Sequence, residues 1–418
     1  MKTNLYKYII AIFISLIGSG AFKLGTSLYM FKFEGNQWNI ASMYLLIQIP
    51  TLVIYFFSKR ISKINSKFSL VISDILSLFL LIISIFLYFL YSKESKLFSI
   101  LMIIINSLLG FVHAFRFIHL RNILYYCSSH EKEIKKYNYL NSWATTLSFV
   151  FFPFISLLFS YFNYYFLIIF NICTYLLSGL LYFSLSLNKK AIVFKNIKNN
   201  EKNYSKNKSK WFFTIFFSIV ISLILYPKQS GMFQFLKFSN FDFIDRNFSS
   251  VIIPVLTSIF GVLGTFISHW LNYKMKSKIL AIFCICSFLL VLIGFPWLFI
   301  ILMFEKNSWF SLIFYVLIIS FQQLLFSLLI PIYYNFHYEM FNKEDNAKQL
   351  GLSLIFRTLV SSFAILFFTF LSETYNYYYA FMTYLIIILI LICFTIYFII
   401  DAVLLWKKKN INNSIVNF

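Results

Sequence analysis

Charged residues, and acidic ones above all, are scarce in this chain. The 418 residues include 14 Asp and Glu against 36 Lys and Arg, and charged residues together make up only 12%. Soluble globular chains carry about 25% charged residues, so a water-exposed surface cannot be built from what remains. With 60% hydrophobic residues, the composition excludes a soluble globular protein and indicates a polytopic membrane protein.

Motifs of catalysis, metal binding and nucleotide binding are also lacking. The five cysteines form no CxxC pair, which argues against a disulfide framework and against a cysteine metal site. No GxxxxGK[ST] sequence occurs, so ATP-driven transport by this chain alone is not expected. No Ser-His-Asp arrangement stands out either. We therefore expect no cofactor, no bound metal and no enzymatic activity.

Long apolar runs fill the chain and predict membrane-spanning helices. A spanning helix needs about 20 mostly apolar residues. The expected fold class is therefore an all-α polytopic membrane protein. The seventh span is the least regular, because Pro227 and Lys228 interrupt its apolar run. The sequence predicts twelve spans, at residues 8–31, 38–58, 68–91, 97–120, 139–161, 164–187, 211–236, 248–271, 278–303, 309–336, 350–372 and 376–406.

A basic segment divides the predicted spans into two sets of six. Residues 188–210 contain eight lysines against one acid, Glu201. Lys and Arg are also concentrated in alternate connecting segments, which by the positive-inside rule lie in the cytoplasm together with both termini. We predict an amino-terminal bundle (1–187), a cytoplasmic linker (188–210), a carboxy-terminal bundle (211–406) and a tail (407–418). The net charge of +22 then reflects topology and contact with membrane lipids, and no nucleic-acid partner is expected.

Polar side chains inside the spans are the candidates for a functional site. A charge within a span is costly and is a functional candidate by default. Two other interpretations stay open: Lys23 can extend to the membrane surface, and His113 can be a hydrogen-bonded core residue. Because no acid lies near the predicted centre of the bilayer, we expect a cationic, amide-lined cavity for a neutral or anionic amphipathic substrate. The predicted cavity residues are Lys23, Asn106, His113, Lys228, Gln229, Gln322 and Gln323.

Two further charges lie towards the cytoplasmic ends of neighbouring spans. Asp74 is in the third span and Arg116 in the fourth. A buried Asp–Arg pair keeps both groups charged, so we expect these two to pair. The pair can be structural, a gate lock or part of a proton relay. In span eleven, Arg357 is expected to pair with Glu339 or Glu344 near the same end.

Short motifs in the first, third and fifth spans resemble those of a known family. They are Gly18-Ser19, Gly25 and Tyr29 followed by FEGNQWNIA, then Asp74-Ile75-Leu76, and then Asn138, Leu140, Ser142 and Pro153. With six plus six spans around a long linker, the chain resembles the major facilitator superfamily, in its macrolide-efflux-like branch. This resemblance implies two parallel six-helix repeats around a midplane cavity. It also implies a monomeric, proton-coupled exporter of an amphipathic drug or natural product.

The loop between spans two and three departs from that resemblance. The superfamily usually has G-x-x-x-D-R-x-G-R-R/K there, and its acid takes part in gating the cytoplasmic side. Residues 57–67 keep basic residues but contain neither glycine nor an acid. This departure implies either that gating of that side is impaired or that the role of the acid shifts to Asp74. The coupling or gating residues that the resemblance implies are Asp74, Arg116, Lys59 and Arg60.

The sequence leaves three other functions open. One is a lysophospholipid or lipid flippase of the same fold, acting on a lipid-like substrate. Another is a non-transporting immunity or sensor protein that binds a peptide. A third is a membrane-embedded acyl- or glycosyltransferase, although the longest loop is a low-complexity Lys/Asn string that suits a linker better than a catalytic loop. The richness in Lys, Asn, Ile and Phe is typical of an AT-rich genome, so we expect a bacterial cytoplasmic membrane.

Overall fold

Apolar runs broken by short polar segments give helices along the whole described chain. The computed structural model describes residues 2–34, 37–92, 95–128, 130–188, 208–228, 230–239, 246–274, 279–294, 296, 309–340 and 343–415. The helices before residue 188 are α1 (Lys2–Glu34), α2 (Gln37–Phe56), α3 (Ser58–Ile61), α4 (Ser66–Tyr91), α5 (Ser95–Asn122), α6 (Leu124–Cys127), α7 (Glu131–Phe162) and α8 (Tyr164–Phe183). Those after it are α9 (Lys208–Leu225), α10 (Ser230–Ser239), α11 (Arg246–Lys274), α12 (Ile279–Leu292), α13 (Trp309–Met340), α14 (Lys343–Thr374) and α15 (Tyr377–Ile415).

Most of the long helices are apolar enough to cross a membrane. Among the described residues nine segments satisfy the length and hydropathy requirements, and α2 and α12 contain shorter apolar segments, Ala41–Phe56 and Ala281–Leu292. Large apolar side chains such as Phe86 and Phe363 are exposed on the outer faces of these helices. Such a surface fits a lipid environment and not water. The nine segments are Asn4–Met30, Ser66–Tyr91, Lys96–Cys127, Glu133–Phe159, Tyr164–Phe183, Ile252–Lys274, Trp309–Tyr338, Asp345–Thr374 and Tyr377–Tyr397.

The helices pack as two halves that meet along a defined set of helices. In the amino-terminal half, α1 packs on α7 and α8, α4 packs on α5 and α8, and α2 packs on α5. In the carboxy-terminal half, α11 packs on α13, α9 on α14, and α12 on α13 and α15. The main contacts between the halves join α7 to α11 and α2 to α14. These four helices therefore form most of the interface between the halves.

Two glycines let α2 approach its neighbours closely. A Cβ at Gly110 of α5 would lie 2.5 Å from the carbonyl oxygen of Ile47 in α2. A Cβ at Gly351 of α14 would lie 2.7 Å from the carbonyl oxygen of Tyr55, also in α2. Small residues at such crossings allow helix backbones in membrane proteins to come together. Gly110 and Gly351 thus let α5 and α14 pack closely against α2.

The predicted seventh span is broken and not continuous. Helix α9 ends at Leu225, a 3₁₀ turn covers Tyr226–Lys228, and α10 begins at Ser230. Pro227 has no N–H and its ring prevents an α-helix from continuing through it. The hydroxyl of Tyr315 donates to the carbonyl oxygen of Pro227 at 2.6 Å, so the interrupted backbone gains a partner from α13. The predicted ninth span is described mainly as α12, and residues 297–303 lie outside the described residues.

Candidate functional site

A cavity of about 460 Å³ is lined by residues of both halves, chiefly by α1, α2 and α5 and by one face of α14. Its volume lies within the range of about 300–1,000 Å³ that is usual for small-molecule sites. The lining residues recur every three or four positions, as one face of a helix requires. On α5 they include Asn106, Gly110, His113 and Phe117, and on α14 they are Leu354, Arg357, Thr358 and Ser361.

Three of the predicted cavity residues line this cavity. The ammonium of Lys23 lies 4.5 Å from the centroid of the Tyr44 ring. Asn106 Nδ2 donates to the carbonyl oxygen of Met102 at 2.8 Å, one turn back in its own helix. His113 Nε2 lies 3.0 Å from the hydroxyl oxygen of Tyr175 in α8. The polar positions of α1 and α5 thus face one shared space.

The predicted ion pair between Asp74 and Arg116 is formed. Arg116 Nη1 lies 3.0 Å from Asp74 Oδ1, and the two side chains are 6% and 1% exposed, respectively. Arg116 Nη2 also donates to Ser15 Oγ at 2.6 Å and to the hydroxyl of Tyr182 at 3.2 Å. Ser178 Oγ donates to Asp74 Oδ2 at 2.7 Å. Arg116 lines the cavity, whereas Asp74 lies behind it and balances its charge.

Sequence reasoning missed several polar residues of the cavity wall, among them Gln48 and Arg357. Both are polar and lie within apolar runs, which is the signal that identified Lys23. Ser362 Oγ of α14 donates to Gln48 Oε1 of α2 at 3.1 Å, across the interface between the halves. Arg357 lines the cavity, and within the described residues its side chain forms neither an ion pair nor a hydrogen bond. The side chains of its predicted partners, Glu339 and Glu344, lie outside the described residues.

The prediction that Gln322 and Gln323 form a wall of the cavity needs correction. Both are buried in α13, but neither lines the cavity. Gln323 Nε2 donates to Ser327 Oγ at 2.9 Å and lies against Gly261 of α11. Because α13 packs closely on α11, this part of α13 faces α11. Helix α14 lines the cavity where α13 was predicted to line it.

The remaining predicted residues do not lie on the cavity. Lys59 and Arg60 are exposed on the short helix α3, where the Arg60 guanidinium lies 5.8 Å from the ring centroid of Phe57. The backbone of Lys228 belongs to the 3₁₀ turn, but its side chain lies outside the described residues, and so does the whole of Gln229. The predicted roles of these four residues stay predictions.

Polar and aromatic contacts join the two halves on one side of the cavity. They lie where α1 begins and α5 ends, which we call the basic end because the sequence concentrates Lys and Arg there. The guanidinium of Arg121 lies 3.7 Å from the ring centroid of Tyr334. Asn138 Nδ2 donates to Asn335 Oδ1 at 3.0 Å, and the Tyr338 hydroxyl donates to the Arg121 carbonyl oxygen at 3.4 Å. We call these five residues the closing cluster.

The charge of the cavity wall is positive. Lys23, Arg116 and Arg357 line it, together with His113. Neither Asp nor Glu occurs among the described residues that line it. Within the described ranges no group of three or more His, Cys, Asp or Glu side chains is placed to hold a metal ion. The wall can therefore hold a molecule through hydrogen bonds, apolar contacts and positive charge.

Comparison with known proteins identifies the fold. A sequence profile described as Major Facilitator Superfamily matches residues 9–365, and no curated protein sequence matches the chain. A bacterial homologue of the iron transporter ferroportin, in its outward-facing state, is similar with a TM-score of 0.69 at 14% identity, covering 94% of this chain and 98% of that one. The nucleoside transporter NupG gives 0.65 at 13% identity, covering 94% and 99%. The human organic anion transporter TETRAN gives 0.60 at 10% identity, also covering 94% and 99%.

Proposed function

Because the chain belongs to the Major Facilitator Superfamily, we propose that it is a secondary-active transporter that exports an amphipathic small molecule by alternating access. Proteins of this superfamily are multi-pass membrane transporters that typically act as monomers on small molecules and are generally not enzymes. One observation supports the proposal most strongly. Both halves line the same cavity, and this cavity lies next to the closing cluster that joins the halves. Such a site can be exposed to one side of a membrane at a time.

The proposed topology has twelve spans with both termini in the cytoplasm. This count adds three spans to the nine apolar segments. They are α2, α12 and the broken pair of α9 and α10. The excess of Lys and Arg at the basic end supports placing that end in the cytoplasm of a bacterial cell. The bundles then cover residues 1–187 and 211–406, with the linker at 188–210 and the tail at 407–418.

The substrate class rests on the wall of the cavity and not on the fold. The similar structures are named for an iron transporter, a nucleoside transporter and an organic anion transporter, so the shared fold does not select a cargo. Apolar residues such as Leu16 and Phe149 alternate in this wall with polar ones such as Gln48 and Ser361. This mixture suits an amphipathic drug or natural product, either macrolide or peptide-like.

For energy coupling we propose proton antiport through the buried pair of Asp74 and Arg116. The carboxylate of Asp74 is stabilised by Arg116 and Ser178, away from water. If Asp74 binds a proton, its pair with Arg116 breaks, and the Arg116 side chain is free to extend into the cavity and compete with the substrate for space. Movement of Arg116 would thereby make binding of the proton and of the substrate mutually exclusive, as antiport requires.

The experiment that tests this function uses inside-out vesicles with an imposed pH gradient. Accumulation of a macrolide, a peptide-like antibiotic and a lipophilic dye is followed for the wild type, for Asp74→Asn and for Glu373→Gln. Glu373 is an exposed acid at the end of α14 and serves as the matched control. We expect gradient-driven accumulation of at least one compound by the wild type and by Glu373→Gln, and its loss in Asp74→Asn. Accumulation that ignores both the gradient and the Asp74 change would contradict the coupled exporter.

A further inference from the structure

Two cations line the cavity, and no described residue forms an ion pair with either of them. Lys23 comes from α1 and Arg357 from α14, so each half of the chain supplies one. Within the part of the chain that the structure describes, neither side chain forms an ion pair or a hydrogen bond, and Lys23 lies against the ring of Tyr44 at 4.5 Å. The third cation of the wall, Arg116, differs because Asp74 balances it at 3.0 Å.

Unbalanced positive charges are unfavourable at this depth in a membrane protein. Each cation loses part of its hydration there, and no described acid supplies an opposite charge in exchange. The described residues of the wall contain no carboxylate that could supply one. An anion that binds in the cavity would offset part of this cost through charge-assisted hydrogen bonds to the cations of the wall.

We propose that the cavity binds an organic anion with an apolar body, whose acidic group is held by the positive charge that Lys23 and Arg357 give to the cavity wall. This substrate class rests on the transport function proposed above. Carboxylate, sulfonate and phosphate groups all offer oxygen acceptors to an ammonium and a guanidinium. The apolar body of the molecule has its own contacts in the wall, among them Ile12, Leu16 and Phe149.

The origin of the two cations gives the anion a role beyond binding. Lys23 belongs to the amino-terminal half and Arg357 to the carboxy-terminal half. Without a ligand, each half presents a positive charge to the cavity. An anion in the cavity is attracted by both halves, so its binding favours the conformation in which the halves lie close together. A neutral amphipathic molecule of the same size has no such effect.

Three probes with one aromatic body test the proposal. Pyrenebutyrate, its methyl ester and pyrenebutylamine are anionic, neutral and cationic, respectively. Their binding is measured at equilibrium by fluorescence anisotropy, with the full chain in nanodiscs of phosphatidylcholine, whose headgroup has no net charge. We expect the carboxylate to bind about tenfold more tightly than the ester. The amine should bind more weakly than the ester.

Single substitutions then locate the charge preference. Lys23→Met and Arg357→Met each remove one cation of the wall, while Lys63→Met removes an exposed cation from the loop before α4 as the matched control. Each of the first two should lower carboxylate affinity about tenfold and change ester affinity less than about twofold. Retained ester binding shows that the cavity is still folded. The charge-conserving changes Lys23→Arg and Arg357→Lys, like the control, should keep the preference for the carboxylate.

Four results would overturn the proposal. They are equal affinity of the wild type for carboxylate and ester, binding of none of the probes, an unchanged preference in both methionine variants, and loss of carboxylate binding when phosphatidylglycerol is added to the nanodiscs. The last result would show that an anionic lipid of the bilayer fills the site. Because binding is measured without a gradient, it is independent of transport. If the chain binds the carboxylate but transports no compound, the proposed transport function is contradicted and the anion site is not. If the chain transports the ester but does not prefer the carboxylate, the anion site is contradicted and the transport function is not.

Discussion

The two halves of the molecule bury different kinds of polar group. The amino-terminal half buries the ion pair of Asp74 and Arg116 beside the cavity. The carboxy-terminal half buries a neutral set, in which the Tyr226 hydroxyl donates to Gln234 Oε1 and Gln234 Nε2 donates to Thr369 Oγ1 at 3.0 Å. Similar architecture in the halves therefore does not mean similar chemistry. Among the described residues, the buried ion pair lies in the amino-terminal half, and this set of hydroxyl and amide groups lies in the carboxy-terminal half.

The exception to this division is Arg357, which the carboxy-terminal half contributes to a cavity formed mainly by the other half. Lys23 and Lys228 were both predicted to line the cavity, and the side chain of Lys228 lies outside the described residues. The cation of the carboxy-terminal half that the structure shows in the wall is on α14, which packs directly on α2. Contact between the halves thus places this cation beside the cavity.

The largest expected effect comes from breaking the charged pair of the amino-terminal half. Arg116→Met leaves Asp74 buried without its partner, which should lower the free energy of unfolding by about 3 kcal/mol. Denaturant unfolding in detergent measures this change. The double variant Asp74→Leu with Arg116→Met removes both charges of the pair and should recover most of the loss. If the double variant is no more stable than Arg116→Met, the pair is not the source of the effect.

A smaller effect is expected where the halves meet in the closing cluster. Tyr334→Leu replaces the aromatic ring against Arg121 by an aliphatic side chain, and the desolvated cation–π contact that is lost is worth about 2 kcal/mol. Tyr334→Phe keeps the ring and serves as the control. The contact joins the halves, so its loss should also increase labelling of a cysteine introduced at Ser15 in the cavity by a thiol reagent added at the basic end. Equal labelling of the two Tyr334 variants would show that the ring does not hold this end closed.

The smallest effect is expected in the neutral set of the carboxy-terminal half. Tyr226→Phe removes the hydroxyl that donates to Gln234, so stability should fall by about 1 kcal/mol. Because these side chains do not line the cavity, probe binding should stay at the wild-type value. Thr369→Val, which removes the other partner of Gln234, should behave in the same way. A loss of binding in either variant would show that this set communicates with the cavity.

Much of the site could be predicted because charges within apolar runs are conspicuous. Lys23, Asp74 and Arg116 stand out in the sequence for this reason, and Asn106 and His113 share a helix face by their spacing of seven residues. The structure places these five residues in or directly behind one cavity wall. The interruption of the seventh span was likewise indicated by its proline.

The remaining features depend on how each helix is rotated about its axis, which its own sequence does not determine. Helix α13 is apolar on most of its surface, so no pattern within it predicts that Gln322 and Gln323 face away from the cavity. Their orientation follows from packing on α11 at Gly261. Arg357 was expected in an ion pair because acids lie nearby in the sequence. Its place in the wall follows from the approach of Gly351 to α2, which no pattern within α14 reveals.

Helix α5 carries one arginine in the cavity and another in the closing cluster. Arg116 and Arg121 are five residues apart, so they are separated by about 7.5 Å along the helix and by about 140° around it. A helix is stiff over this distance and acts as a lever between the two arginines. A tilt or rotation that draws Arg116 towards a bound molecule therefore moves Arg121 relative to the Tyr334 ring. Arrival of a substrate could then loosen the basic end without any substrate contact there.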